Sequence, residues 1–230
     1  MERMAETGNV DIITGDWLSE MNIAWNAIAK MDDPALGYET GFLTQLSQCI
    51  HSVVSKKLKV ITNAGALNTA ALAAEVQKLC ERSGHDHVVV AQVLGDDITE
   101  LLRDKDQKSK LHLHHLDHED QTLDDWDMRD GIHCGVAYIG AWGIVEALKA
   151  GADIVICGRV TDASPVIGAA AWWYGWSRES FDQLAGALVA GREQIAAVSK
   201  RDAQLTKGRS DRMRALCDWG KLFRVQSYQT

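Results

Sequence analysis

The sequence predicts an α/β protein, built as a three-layer domain with a mostly parallel sheet. Short apolar segments with the length of buried strands alternate with helical patterns, and glycine-containing turns follow the strands. The unit Val136–Gly168 adds a helix pattern, a glycine stop and a β-branched strand in direct succession. A (βα) barrel is the alternative architecture, because its strand-end sites would look the same in sequence.

The predicted strands each end at a polar turn. They are Val10–Thr14, Lys59–Thr62, Val88–Val93 and Ala152–Cys157. The turns that follow them are Gly15–Asp16, Asn63–Gly65, Gly95–Asp97 and Gly158–Asp162. Because the carboxyl ends of parallel strands meet at one edge of a sheet, we expect these turns to converge. We call the polar edge formed by these four turns the rim. A rim of this kind can hold a polar or anionic ligand or orient a general base.

Helical patterns fill the intervals between these strands. Asp16 is the expected N-cap of a first helix that runs toward Lys30. Further helices are predicted over Tyr38–Lys56, Thr69–Arg82, Ala141–Ala150 and roughly Arg178–Ala190. The aromatic cluster between Trp172 and Trp176 is expected in the core or at a subunit interface.

Composition narrows the class of protein. The chain of 230 residues has a net charge of −8, which argues against general nucleic-acid binding. No apolar run approaches the roughly 18 residues of a membrane span, so no membrane association is expected. Its five cysteines are scattered without a CxxC pair, which indicates a reducing compartment and a cytoplasmic location.

Charge also divides the chain into a core and a tail. Residues 192–230 contain nine Lys/Arg and four Asp/Glu, a net charge of +5 within an acidic protein. We therefore predict an α/β core over residues 1–191 and a basic tail over residues 192–230. The tail is expected to be irregular or helical, with short helices at Gln194–Lys200 and Asp211–Leu216.

A polar segment over residues 104–130 interrupts the core and is expected to be an exposed insertion. Its candidate metal ligands are His112, His114, His115, Asp117, His118, Glu119 and Asp120. The spacing between His114 and His118 is helical, but the HExxH order is absent. We expect no functional metal site here, only adventitious binding.

The segment Gly158–Ser164 is the strongest candidate for a ligand-binding or catalytic site. Arg159 can hold a carboxylate or phosphate in a bidentate manner, and Asp162 can accept a proton. An Arg159–Asp162 pair that only fixes the loop is equally compatible with the sequence. Asp16 and Asp162 are the candidate catalytic residues, and Gly158, Arg159 and Ser164 are candidate ligand-binding residues.

The turn Thr62–Asn68 supplies the remaining candidate ligand-binding residues, Asn63, Gly65 and Asn68. Its backbone N–H groups precede a helix and can cradle an anion. The turn lacks both the GxGxxG spacing and a Walker lysine, so no nucleotide cofactor is expected. The alternative is structural: Asn68 caps a helix and the glycines only make turns.

Four longer segments together resemble one family. They are VDIITGDWLSE, VITNAGALN, VAYIGAWGIVEALKAGADIVICGRVTDAS and LAGALVAG. They are similar to the acyclic terpene utilisation AtuA-like family, over about Asp11 to Gly191. The resemblance implies a cytosolic protein linked to acyclic terpenoid breakdown, where intermediates are CoA thioesters, with an undefined reaction. The matching motif positions are Gly15, Asp16, Glu20, Asn63, Gly65, Asn68, Gly140, Gly158, Arg159, Asp162 and Ser164.

Three features depart from the family pattern. Members usually have another strand and glycine turn before the segment at Val10, so one strand and part of the rim are expected to be missing. Val136 stands where the family tends to have Asn, which removes a polar group from the rim. Beyond Gly191 the basic tail replaces a glycine-rich second half. We therefore expect a family core truncated at both ends.

Three functional hypotheses follow, and whether the chain is an enzyme stays open among them. The first is action on an acyl-CoA or small carboxylate intermediate of terpenoid or branched-chain catabolism. In it, Asp16 or Asp162 is the general base, Arg159 anchors an anionic group, and Asn63 with the Gly65 turn orients a carbonyl. The second is a truncated, non-catalytic homologue that binds a partner subunit. The third is a nucleotide- or metal-dependent enzyme, which would rest on the turn Thr62–Asn68 or on the histidine-rich segment alone. A homo-oligomer is also expected.

Overall fold

The computed structural model describes residues 1–111, 113–118, 120–125, 131–198 and 225–228. The strands in this part of the chain are β1 (Ile12–Gly15), β2 (Lys59–Thr62), β3 (Val90–Val93), β4 (Ile154–Cys157) and β5 (Val225–Tyr228). The α-helices are α1 (Glu2–Thr7), α2 (Glu20–Asp32), α3 (Thr40–Ser55), α4 (Thr69–Arg82), α5 (Thr99–Arg103), α6 (Lys105–Lys108), α7 (Trp142–Lys149), α8 (Ser164–Tyr174) and α9 (Phe181–Val198).

The strands form one parallel sheet in the order β3-β4-β2-β1-β5. Ile13 pairs with Val60, Val60 with Ile154, and Ile154 with Val90. The central strands are short β-branched runs because both faces of a parallel sheet are covered by helices. Among the described strands, β3 and β5 are the two edges, so the sheet is open and is not a barrel.

Helices cover both faces of the sheet, which confirms the predicted three-layer α/β architecture. Successive strand residues point to opposite faces, so Ile13 and Ile12 belong to different halves of the core. On the Ile13 face the buried helix residues include Phe42, Leu46, Leu72 and Val76. On the Ile12 face they include Ile144, Leu148 and Ala169.

The local predictions differ in how closely they match the elements. The bounds of β2 and α4 are those predicted, and α3 differs by one or two residues at each end. The prediction that Asp16 caps the first helix is wrong. Ser19 is the N-cap of α2, and its side chain accepts a hydrogen bond from the Asn22 amide. Asp16 lies before the helix, and its carboxylate is bonded across the sheet edge instead.

Part of the described segment between α6 and α7 lies at the carboxyl edge of the sheet. A 3₁₀-helix spans Leu123–Asp125, and many of the described side chains of residues 104–125 are exposed. Further on, Val136 forms an antiparallel bridge with Asp97, and Ile139 forms a parallel bridge with Val160. This route brings residues 133–139 beside the predicted rim.

In the described residues beyond α8, the chain forms the long helix α9 and the strand β5. Helix α9 is continuous through Gly191, where the sequence indicated a boundary. In the tail, β5 pairs with β1 (Ile12 with Val225), a strand that the residue pattern did not indicate. The helix proposed at Asp211–Leu216 lies outside the described residues. Within the described part of the chain, no helix is both long and apolar enough to cross a membrane.

Candidate functional site

Asp16 and Asn63 are joined at the carboxyl edge of the sheet, directly after β1 and β2. Asn63 Nδ2 donates to Asp16 Oδ1 at 2.7 Å, and Asn63 Oδ1 accepts from the Trp17 amide at 2.7 Å. The Asn63 side chain is fully buried, and both ends of its carboxamide are used. Asn63 is therefore placed to fix the position of Asp16 rather than to contact a ligand.

The Asp16 carboxyl group is held at one oxygen only. Its Oδ1 also accepts a long hydrogen bond from the Leu18 amide, at 3.4 Å. Its Oδ2 accepts no hydrogen bond from the described residues. Burial raises the pKa of Asp16, the nearby Asp162 carboxylate raises it further, and the bond from Asn63 opposes this rise. A half-buried carboxylate with a raised pKa and an unbonded oxygen is suited to proton transfer.

Arg159 is the centre of a second cluster. Its side chain is only 4% exposed, and its Nη1 donates to the Leu18 carbonyl at 2.7 Å. Its Nη2 contacts Glu20 Oε1 at 3.2 Å and Asp162 Oδ1 at 3.4 Å. The guanidinium lies 4.0 Å above the centre of the Tyr138 ring, and the Tyr138 hydroxyl donates to Glu20 Oε1. These contacts tie three chain segments to one cation.

The partners of Arg159 decide what it can bind. Glu20 and Asp162 are 77% and 55% exposed, so they lie between the guanidinium and solvent. An external carboxylate must compete with both. Asp16 adds a third carboxylate near the two that contact the guanidinium, so an additional free anion is disfavoured when all three are ionised. The geometry agrees with the interpretation in which Asp162 and Arg159 fix the loop.

Glycines 158 and 65 allow close packing beneath the rim. The Asp96 carboxylate is 3% exposed, and its Oδ2 accepts from the Arg159 backbone amide. A Cβ at Gly158 would lie 2.0 Å from that oxygen. A Cβ at Gly65 would lie 2.5 Å from the Cys157 carbonyl oxygen, to which the Gly65 amide donates. Both glycines thus serve backbone packing at this edge.

Two further candidates have local hydrogen-bond partners. Asn68 caps α4, and its Nδ2 donates to the carbonyls of Pro34 and Leu36, so its polar groups are used in the scaffold. The Ser164 hydroxyl is buried and lies 2.6 Å from Thr161 Oγ1. The structure therefore brings together Asp16, Asn63, Arg159 and Asp162, and gives Asn68 and Ser164 structural bonds.

Three residues of the cluster were not among the predicted site residues. Glu20 was present in the family motif, but nothing in the sequence indicated its contact with Arg159. Tyr138 lies in an apolar run that gave no signal. Asp96 lies in the polar turn after β3, where the pattern did not distinguish the buried Asp96 from its neighbour Asp97.

Two cavities adjoin this edge of the sheet. The smaller, of about 10 Å³, is lined by Thr14, Gly15, Asp16, Asp162, Pro165, Val166 and Gly191. The larger, here called the α2 groove, has a volume of about 450 Å³. It is lined by Ala27, Lys30, Met31, Pro34, Leu67, Asp97, Thr99, Glu100, Leu101, Arg103, His133 and Cys134. The first has room for about one water molecule, and the second has the volume of a small-molecule site.

The histidine-rich insertion does not assemble a metal site in the described residues. No group of three or more His, Cys, Asp or Glu side chains there is arranged to hold a metal ion. The rings of His115 and His118 are tilted by 45° relative to each other, with their centroids 4.6 Å apart. The candidate ligands His112 and Glu119 lie outside the described residues.

The fold and the polar edge define the class: an α/β protein whose candidate site lies at the carboxyl ends of parallel strands. The family model described as acyclic terpene utilisation family protein AtuA matches residues 1–193. The chain therefore belongs to this family, as the sequence motifs predicted. Searches of curated proteins and of solved structures gave no match.

Proposed function

We propose that the rim is a proton-transfer site for a CoA thioester intermediate of acyclic terpenoid or branched-chain acyl catabolism. Asp16 is the general base: it takes a proton from the carbon next to the thioester carbonyl, the electron pair of that C–H bond moves onto the carbonyl oxygen to form an enolate, and the carbon regains a proton when the enolate collapses. The observation that carries this proposal is the state of its carboxylate: Oδ1 is held by Asn63 at 2.7 Å, while Oδ2 is without a hydrogen bond from the described residues. Family membership supports the substrate class.

The charge of the rim favours a thioester over a free carboxylate. The carboxylates of Glu20 and Asp162 contact the Arg159 guanidinium and the Asp16 carboxylate lies nearby, so an uncharged carbonyl group meets less repulsion. We assign Arg159 a positioning role in place of the predicted anion anchor, since both of its terminal nitrogens are engaged. Asp162 supports Asp16 by raising its pKa. Chemistry on CoA thioesters fits a cytoplasmic protein.

Hydrogen exchange at the substrate tests this proposal without knowledge of the complete reaction. The chain is incubated in D₂O with isovaleryl-CoA and longer branched acyl-CoA thioesters, and deuterium at the α-carbon is measured by mass spectrometry. We expect enzyme-dependent incorporation that falls at least about 100-fold in Asp16→Asn. Glu146→Gln, which removes an exposed carboxylate from α7, is the matched control and should exchange normally.

Two results would contradict the proposal. One is the absence of exchange with every thioester that binds the wild-type chain. The other is unchanged exchange in Asp16→Asn with a thioester that the wild type does exchange. Binding of each thioester, measured by calorimetry, distinguishes loss of chemistry from loss of affinity.

The alternative proposal is a non-catalytic subunit that associates through α2. Met21, Trp25 and Ile28 lie on one stripe of this helix and are 70%, 64% and 50% exposed. No charged residue occurs between Glu20 and Lys30, so the stripe is apolar along its length. A second copy of the chain is the partner we propose, since an apolar helix stripe can pack against itself about a two-fold axis.

Light scattering during size-exclusion chromatography tests this alternative. We expect a wild-type dimer and a Trp25→Glu monomer with an unchanged circular dichroism spectrum. A wild-type monomer at all concentrations would exclude self-association through α2. A dimer without any hydrogen exchange would favour the non-catalytic role over the catalytic one.

A further inference from the structure

The α2 groove lies directly beside the proton-transfer site, and the polypeptide segments that connect the two places are short. Asp96 holds the Arg159 backbone amide at the rim, and the next residue, Asp97, lines the groove. Consecutive Cα atoms are about 3.8 Å apart. The segment after the insertion also reaches both places, because Cys134 lines the groove and the Tyr138 ring contacts the Arg159 guanidinium. Two separate segments therefore border both places.

Helix α2 provides the third connection. Glu20, at its first turn, contacts Arg159, and Ala27 lines the groove. These residues are seven positions apart and so lie on the same side of the helix, about 10 Å from each other along its axis. Leu18 and Leu67 pack with Ala27 in one buried cluster between the rim and the groove. The groove thus extends away from the rim along one face of α2.

The groove presents apolar surface and neutralised charge. Its apolar lining comes from Ala27, Met31, Pro34, Leu67 and Leu101. Among the described residues, both cationic side chains that line it, Lys30 and Arg103, are paired.

Lys30 Nζ donates to the Leu67 carbonyl and lies 3.7 Å from Asp97. Arg103 Nη1 lies 2.7 Å from Glu100, and its Nε donates to the Ile132 carbonyl. With these charges balanced, the groove is better suited to an apolar chain than to an ionic group.

We infer that the α2 groove binds the acyl chain of the thioester whose carbonyl group reaches Asp16. This inference rests on the proposed function, and it adds the substrate preference: a medium-length or longer apolar chain rather than a short acyl group. The volume of about 450 Å³ lies in the range of small-molecule sites, whereas the cavity beside Asp16 holds about one water. The acyl chain of the substrate must therefore lie outside the small cavity beside Asp16.

Chain-length dependence of affinity tests the inference. Dissociation constants are measured by calorimetry for a series from butyryl-CoA to decanoyl-CoA. Each methylene that becomes buried should tighten binding about fourfold. Met31→Glu places a charge at an exposed position of the groove wall and should abolish most of this dependence. Phe181→Glu is the matched control, because it also places a charge at an exposed apolar residue of a helix, but on α9 and outside the lining of the groove.

The outcomes separate this inference from the proposed function. Affinity that does not depend on chain length in the wild type overturns the groove assignment, even if α-deuterium exchange occurs. A dependence that persists in Met31→Glu and in a second variant, Leu101→Glu, also overturns it. A dependence lost in both variants and retained in Phe181→Glu supports the groove, even where the absence of exchange refutes the role of Asp16.

Discussion

Replacing Gly158 by alanine perturbs the packing between the Arg159 backbone and the buried Asp96 carboxylate. The added Cβ would lie 2.0 Å from Asp96 Oδ2 and 2.6 Å from both its Cγ and its Oδ1. Real Cβ atoms do not approach other atoms so closely, so the carboxylate must move. Since its Oδ2 accepts from the Arg159 amide, the movement also breaks that hydrogen bond.

The expected cost follows from these two effects. Overpacking a buried site costs about 1–3 kcal/mol, and losing a hydrogen bond to a charged group costs about 1.5–3 kcal/mol. We expect a loss of about 3 kcal/mol in the free energy of unfolding. For a chain of this length this corresponds to a decrease in Tm of about 6–12 °C. Thermal and urea unfolding followed by circular dichroism measure it.

A matched substitution and a double-mutant cycle make the test specific. A Cβ at Gly140 would meet no atom within 4 Å, so Gly140→Ala should change stability by less than about 0.5 kcal/mol. In an Asp96→Ala background the clash is absent, and Gly158→Ala should cost about 2 kcal/mol less. Equal costs for the two glycine variants, or an unchanged cost in the Asp96→Ala background, would refute the reasoning.

Three further predictions concern groups around the same edge. Burial raises the pKa of Asp96, so the contribution of this group to stability should be lost as pH rises above 3.8, and urea unfolding should show that Asp96→Asn lacks this pH-dependent loss. Burial also raises the pKa of the fully buried Cys157 thiol, so a thiol reagent should label Cys134 before Cys157, as mapped by mass spectrometry. Tyr138→Phe removes the donor that lowers the pKa of Glu20, so NMR titration should show this pKa rising.

The signs of these effects decide each test. A carboxyl group with a raised folded-state pKa binds its proton more tightly in the folded chain, so its contribution to stability is complete below pH 3.8 and is lost through the raised pKa. If the difference in the free energy of unfolding between the wild type and Asp96→Asn is the same at every pH, the first prediction is contradicted. Native-state labelling of Cys157 ahead of Cys134 would contradict the second. An unchanged Glu20 titration in Tyr138→Phe would contradict the third.

The parts of the fold that local pattern determines were predictable. The bounds of β2 and α4 follow from a short apolar run and from the Asn68 cap, and both are local signals. The strand β5 was not predictable in this way. Its sequence, Val225–Tyr228, includes two polar residues, and its place in the sheet depends on pairing with β1, more than 200 positions away. Tertiary context of this kind overrides local preference.

The candidate site shows the same division. The convergence of Asp16, Asn63 and Asp162 could be predicted, because the ends of parallel strands meet at one edge. The contacts of Arg159 with Glu20 could not, since 139 positions separate the two residues. The pattern also could not show that Asn63 is fully buried. The role of Asn63 in positioning Asp16 follows from its burial and its long-range hydrogen bonds, and the residue type alone does not indicate this role.

The contacts of Arg159 link the proposed proton-transfer site to the α2 groove. Its guanidinium binds the Leu18 carbonyl and Glu20 at the start of α2, while Asp96, next to the groove residue Asp97, holds its backbone amide. Moving a buried cation away from such partners leaves charge unpaired and is strongly unfavourable. The rim and the groove therefore keep a fixed relative position. A substrate with a reacting carbonyl at one end and an apolar chain at the other requires this fixed geometry.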